Sequence, residues 1–160
     1  MDLLDRQLGH DHWATTQLLE QSCELTDAQL DQPFDIGHGS LRETLNHMIF
    51  VVDFWTTLMA GQPATWEREA HRSIAELIER HERFYAIFAT FARRVHDEQR
   101  LEDTFVDHFG GQMTFGGAIL HVVLHNAEHR TEALHILGRL GVPDLPEVDH
   151  GLWDFARRGV

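Results

Sequence analysis

Residues 114–143 read TFGGAILHVVLHNAEHRTEALHILGRLGVP, and the punctuation at the two ends decides what lies between. Thr114 is a residue type that caps helix N-termini, Gly141 stands where a left-handed helix stop belongs, and Pro143 cannot continue a helix. The spacing predicts one long helix from Thr114 to about Leu140. Inside it His121, His125 and His129 recur every fourth residue. Four residues advance about 6 Å and rotate about 40° past a full turn, so His125 and His129 project from one face on successive turns. One cation can touch both, whereas His121 points about 80° away from His129 and is not expected to share the same ion.

Working back from this helix, the rest of the chain divides the same way. Ser40 and Glu43 have capping-box spacing and open a segment whose Leu41, Leu45, Met48, Val52 and Trp55 keep helical period up to the Gly61-Gln62-Pro63 breaker. Ser73 and Glu76 repeat the device before a stripe of Ile74, Leu77, His81, Phe84, Phe88, Ala92 and Val95. A first helix is predicted from Leu3 to Cys23, with Leu4, Leu8, Thr15 and Leu18 inward. Residues 96–112 are polar and lose the period, with an extended stretch expected in FVDHFGGQMTF. Four long helices with one apolar stripe each predict an all-α four-helix bundle, one domain over residues 1–160. The tail, with Leu152, Trp153 and Phe155, is expected to pack back on the bundle or on a partner subunit.

The charge balance, 13 Lys plus Arg against 26 Asp plus Glu for a net −13, argues against nucleic acid and anionic membranes as partners. Cys23 is the only cysteine, which excludes an internal disulfide framework and fits a reducing compartment, so a cytoplasmic location is expected. Cys23 itself reads as a small packed hydrophobe. The N-terminus is too charged for a signal peptide, and no apolar run is long enough to span a bilayer.

In a helical bundle, metal and ligand sites are built from side chains on facing helices. His47, beside the inner stripe of the second long helix, is the best third ligand for the His125/His129 pair. Three neutral imidazoles leave a coordination position open for water or substrate, the pattern of a catalytic rather than a closed site. The bland alternative is that each is a hydrogen-bonded histidine near a core. His71, His108 and His150 are loop residues able to close such a site, Asp53 and Glu128 are candidates to orient the ligand rings, and Arg130 is expected to form an ion pair. His12, Trp13 and His81 are expected to serve packing. HNAEH also spells the inverted zinc-protease pattern, with Glu128 as base, but only 31 residues follow His129, they offer no convincing second acidic helix, and the chain is small for a protease.

Three stretches, GHDHWATTQLLEQSCELTDAQL (9–30), GSLRETLNHMIFVVDFW (39–55) and LHVVLHNAEHRTEALHILGRLGVP (120–143), resemble the DinB/YfiT-like family of metal-dependent four-helix bundles. The resemblance implies that His47, His125 and His129 bind a divalent metal, zinc or nickel. It implies a transferase that uses a small-molecule substrate and a low-molecular-weight thiol of the bacillithiol or mycothiol kind, and a homodimer. A non-catalytic metal-binding or stress-response dimer and a metal-dependent hydrolase are the alternatives. Many members carry His-Arg-Gly-Gln where this chain has His129-Arg130-Thr131-Glu132.

Overall fold

Side-chain caps set the helix ends in the computed structural model, which describes residues 1–65 and 72–159. Helix α1 (Leu3–Ser22) starts at Asp2, α3 (Leu41–Met59) at Ser40, α4 (Ile74–Asp97) at Ser73 and α5 (Phe115–Arg139) at Thr114; each cap side chain accepts a first-turn N–H. At Ser73 the box is complete, because the Glu76 carboxylate takes the Ser73 N–H at 2.8 Å. Helix α5 ends at Leu140, where Gly141 turns left-handed with φ 76°.

Two short helices were not predicted. Helix α2 (Asp27–Leu30) is one turn held by a Thr26/Gln29 capping box, and α6 (His150–Arg158) is the tail, capped by Asp149. The stretch expected to be extended is a hairpin of β1 (Thr104–Val106) and β2 (Gln112–Thr114), antiparallel with Phe105 opposite Met113. The tail packs back on the bundle: Trp153 is buried against α1, where a Cβ on Gly9 would stand 2.8 Å from the indole, and Arg6 pairs with Asp154 at 2.7 Å. Cys23 departs from its reading. It is exposed at the end of α1 rather than packed.

The four long helices form a ring in which α3 lies between α4 and α5, and α1 between the same two on the other side. Their interior is two apolar cores. One gathers Leu8, Val52, Trp55, Phe88 and Val122, the other Leu18, Leu45, Leu77, Ile136 and Leu137. On α1, α4 and α5 the stretches between these cores along the chain carry buried polar residues: Asp11 and Thr15, His81, Asn126 and Arg130. A polar layer therefore crosses the bundle at mid-height, and such a layer is stable only when its members satisfy one another. Most of it does so through the expected ion pair of Arg130, whose partner is Asp11; Asp11 also accepts from Asn126 Nδ2–H at 3.3 Å, while the buried Asn126 Oδ1 has no partner among the described residues.

His81 belongs to this layer as a packing residue. Its Nε2–H donates to the His12 carbonyl at 3.3 Å, and burial pushes its pKa down from 6.5 to about 4. The unfolded chain thus binds a proton that the native state refuses between those two values. Stability from this residue is intact above pH 6.5 and is lost as the pH falls toward 4, up to about 3 kcal/mol. A His81→Gln variant is expected to show a shallower fall of Tm across that window than the parent chain; parallel curves would refute the assignment.

Candidate metal centre

Helices α3 and α5 pack side by side, and His47 faces His125 and His129 across their junction. The Nε2 of His125 lies 3.0 Å from Nε2 of His47 and 3.2 Å from Nε2 of His129. The His125 Nε2 carries either one proton or one in-plane lone pair, so it can direct a hydrogen bond along only one of these two contacts. Imidazole nitrogens about 2.0–2.1 Å from a shared ion are about 3.0–3.4 Å from each other, so the observed spacing suits a cation between them. An all-imidazole donor set suits a divalent transition-metal ion.

Protonation supports the same fit. Burial, then the neighbouring His129 and His121, hold the His125 pKa down at about 4, which keeps that ring neutral and able to donate a lone pair. Its Nδ1 is buried without a hydrogen-bond partner among the described residues. At His129 the other ring nitrogen is engaged: Nδ1–H donates to Glu132 Oε2 at 2.5 Å. A neutral His129 then carries its free lone pair on Nε2, toward the other two rings.

Glu132 therefore holds the place for which Asp53 and Glu128 were the sequence candidates. Asp53 lies elsewhere, in a cleft of about 460 Å³ lined by Arg72, Glu76, Arg80 and Arg83, where burial raises its pKa against the pull of Arg80 and Arg83. Glu128 is exposed. The i, i+3 spacing of His129 and Glu132 was visible in the sequence and is the signal that would have found it. Replacing Glu132 by Gln is expected to weaken metal binding about 10–100-fold with no change in stoichiometry, the usual cost of an outer carboxylate. Competition against a chelator measures it, and an unchanged affinity would show Glu132 to be a bystander.

The second residue missed is His38, in the loop before α3. Its ring lies on His47, centroids 3.7 Å apart at 29°, and 5.0 Å from His129. The ligand nitrogens of His38, His47 and His129 all fall within 4.8 Å of one another. The loop histidines first considered are placed otherwise. His108 sits on Phe54 and Trp55, His150 on His10 and Trp153, and His71 lies outside the described residues. His121 stacks edge-on against Trp55 at 5.0 Å, with its ring 5.6 Å from His125, as its rotation along the helix implied. Thr131 is exposed and bonds back to the Ala127 carbonyl, so its bulk, where glycine is common, does not enter the centre.

His12, His81 and Glu82 form another group with ligand atoms within 4.8 Å, but its chemistry differs. The His12 and His81 rings are nearly parallel, 13° apart, so their in-plane lone pairs do not converge. His12 pairs with Glu82 at 3.0 Å. Packing accounts for this group.

Among the described residues no helix is long and apolar enough to cross a membrane. No curated protein matches the chain. A sequence profile does: it covers residues 11–133, from the buried Asp11 of the polar layer through His47 and the His125/His129 pair to Ala133. With that match over most of its length, and with histidine groups that could hold a metal ion, this helical chain belongs to the DinB superfamily.

Proposed function

We propose that the protein is a divalent-metal-dependent transferase that joins a low-molecular-weight thiol to a small electrophilic substrate, with His47, His125 and His129 holding zinc or nickel. One observation carries the reading: three Nε2 atoms on two rigid helices converge at 3.0 and 3.2 Å, on rings that remain only partly buried. A site meant only to brace the fold would be sealed; this one keeps a route to solvent.

A divalent ion bound there supplies Lewis acidity, lowering the pKa of a thiol or water at neutral pH. The chain's own residues set up the rest. Burial keeps His125 neutral, Glu132 holds the proton of His129 on Nδ1, and the Trp55 and His121 rings wall the side toward the hairpin. In the transfer the sulfur forms a bond to the electrophilic carbon, the thiol proton goes to solvent, and the leaving group departs with its bonding electron pair.

The test is turnover of a simple alkylating electrophile with bacillithiol, glutathione or mycothiol, with and without added zinc or nickel. Metal-dependent turnover with one thiol is expected; none with any of the three would overturn the assignment. Exposed Leu152 and Phe155 on α6, at 44% and 50%, favour as second reading a non-catalytic cytoplasmic homodimer, which would bind metal stoichiometrically and turn over nothing.

A further inference from the structure

We propose that His38 is a fourth, exchangeable protein ligand of this centre, supplied by the loop in front of α3. The inference rests on the reading of His47, His125 and His129 as ligands and adds a gate to it. The loop backbone is fixed. Gly37 has φ +61°, and a Cβ there would stand 2.6 Å from Thr44 Oγ1; Gly39 has φ +87°, and its carbonyl accepts from Phe34 N–H at 2.8 Å. The His38 N–H donates to Thr44 Oγ1 at 3.1 Å, tying the loop to the first turn of α3, one turn before His47. Below it, buried Arg42 bonds Asp31 at 2.6 Å, which anchors α2 to the same helix. The His38 backbone is thus held beside the centre, and the side chain alone needs to move.

An imidazole lone pair lies in the ring plane, so His38 lying flat on His47 does not aim at an ion that His47 binds. A turn about its own side-chain bonds sets the ring edge-on and aims at the ion a nitrogen that already lies within 4.8 Å of the His47 and His129 ligand atoms, at the about 3.0–3.4 Å of nitrogens sharing one. The two arrangements have different consequences. Flat on His47, the ring leaves a coordination position for a thiol or water. Edge-on, it completes four imidazoles and shuts that position. The three helix-borne rings stay, and the loop ring is the one a substrate displaces. The His12/His81 pair lacks this option, because His81 Nε2–H is bonded to the His12 carbonyl and, among the described residues, the third member of that group is Glu82, not an imidazole.

Cobalt(II) loaded into the metal-stripped protein reads the coordination directly, since four-coordinate tetrahedral sites absorb visible light far more strongly than five- or six-coordinate ones. The parent protein is expected to bind one equivalent with the strong spectrum. His38→Ala and His38→Phe are both expected to keep that equivalent with a severalfold weaker band. Phenylalanine retains the flat contact with His47 but has no lone pair. Titration with 2-mercaptoethanol, followed by the thiolate-to-cobalt band, is expected to saturate at about tenfold lower concentration in both variants, the factor for a site His38 occupies about nine-tenths of the time. A parent-like spectrum and thiol affinity in His38→Phe would reduce His38 to packing and overturn the proposal, leaving the three-histidine reading intact. If His125→Ala retained the parent spectrum, that underlying reading would fall as well.

Discussion

Replacement of His125 by alanine is expected to strip the protein of its metal. This ring is the middle of the three: its Nε2 is the atom that both His47 and His129 approach, at 3.0 and 3.2 Å, so its loss removes the shared contact and leaves those two imidazoles with only the loop imidazole of His38 beside them. The fall in affinity should lie well beyond the about 10–100-fold that loss of an outer partner such as Glu132 costs. Metal analysis of protein purified without a histidine tag checks it. About one equivalent is expected in the parent chain and a trace in the variant, with far-ultraviolet circular dichroism unchanged because His125 lies outside the two apolar cores. Equal metal in both proteins would remove the centre.

The second large effect concerns stability. Asp11→Ala leaves Arg130, itself 4% exposed, as an uncompensated buried cation, and it deprives Asn126 of an acceptor. Breaking a buried pair from one side costs about 3–5 kcal/mol, a large share of the marginal stability of a domain. The paired exchange Asp11→Leu with Arg130→Met removes both charges and should recover most of that loss, because the desolvation of two ions disappears with their attraction. Denaturant titration of the single and double variants measures both. A loss below about 1 kcal/mol for Asp11→Ala would mean that water reaches the layer.

Much of this architecture was legible because caps and period are local. Ser40, Ser73, Thr114 and Gly141 each mark a boundary through a bond made within one turn, and the structure ends its helices there. Helix α2 escaped because one turn is too short to show a stripe, although its Thr26/Gln29 box was present. Helix α6 hid in a tail whose amphipathic face is a single buried tryptophan. At the candidate centre, His47, His125 and His129 were selected from helix geometry and resemblance. Glu132 was passed over for the adjacent Glu128, although i, i+3 and not i−1 is the neighbouring position on a helix. His38 had no periodicity to betray it. It reaches the other rings through a turn made by Gly37 and Gly39, and the contact of that turn with Thr44 is tertiary information. The ion pair of Arg130 was expected, but its partner stands 119 residues earlier and nothing local points to it.

His47 and His125 are 78 residues apart in the chain. A cation shared by them would bind the folded chain and not the unfolded one, in which closing a loop of that length costs entropy. At a free concentration about a hundred times its Kd such an ion adds about 2.7 kcal/mol to the native state. The heat tolerance of this bundle would therefore follow the trace-metal supply around it, and a falling supply would register as a lower Tm while the site was still mostly filled.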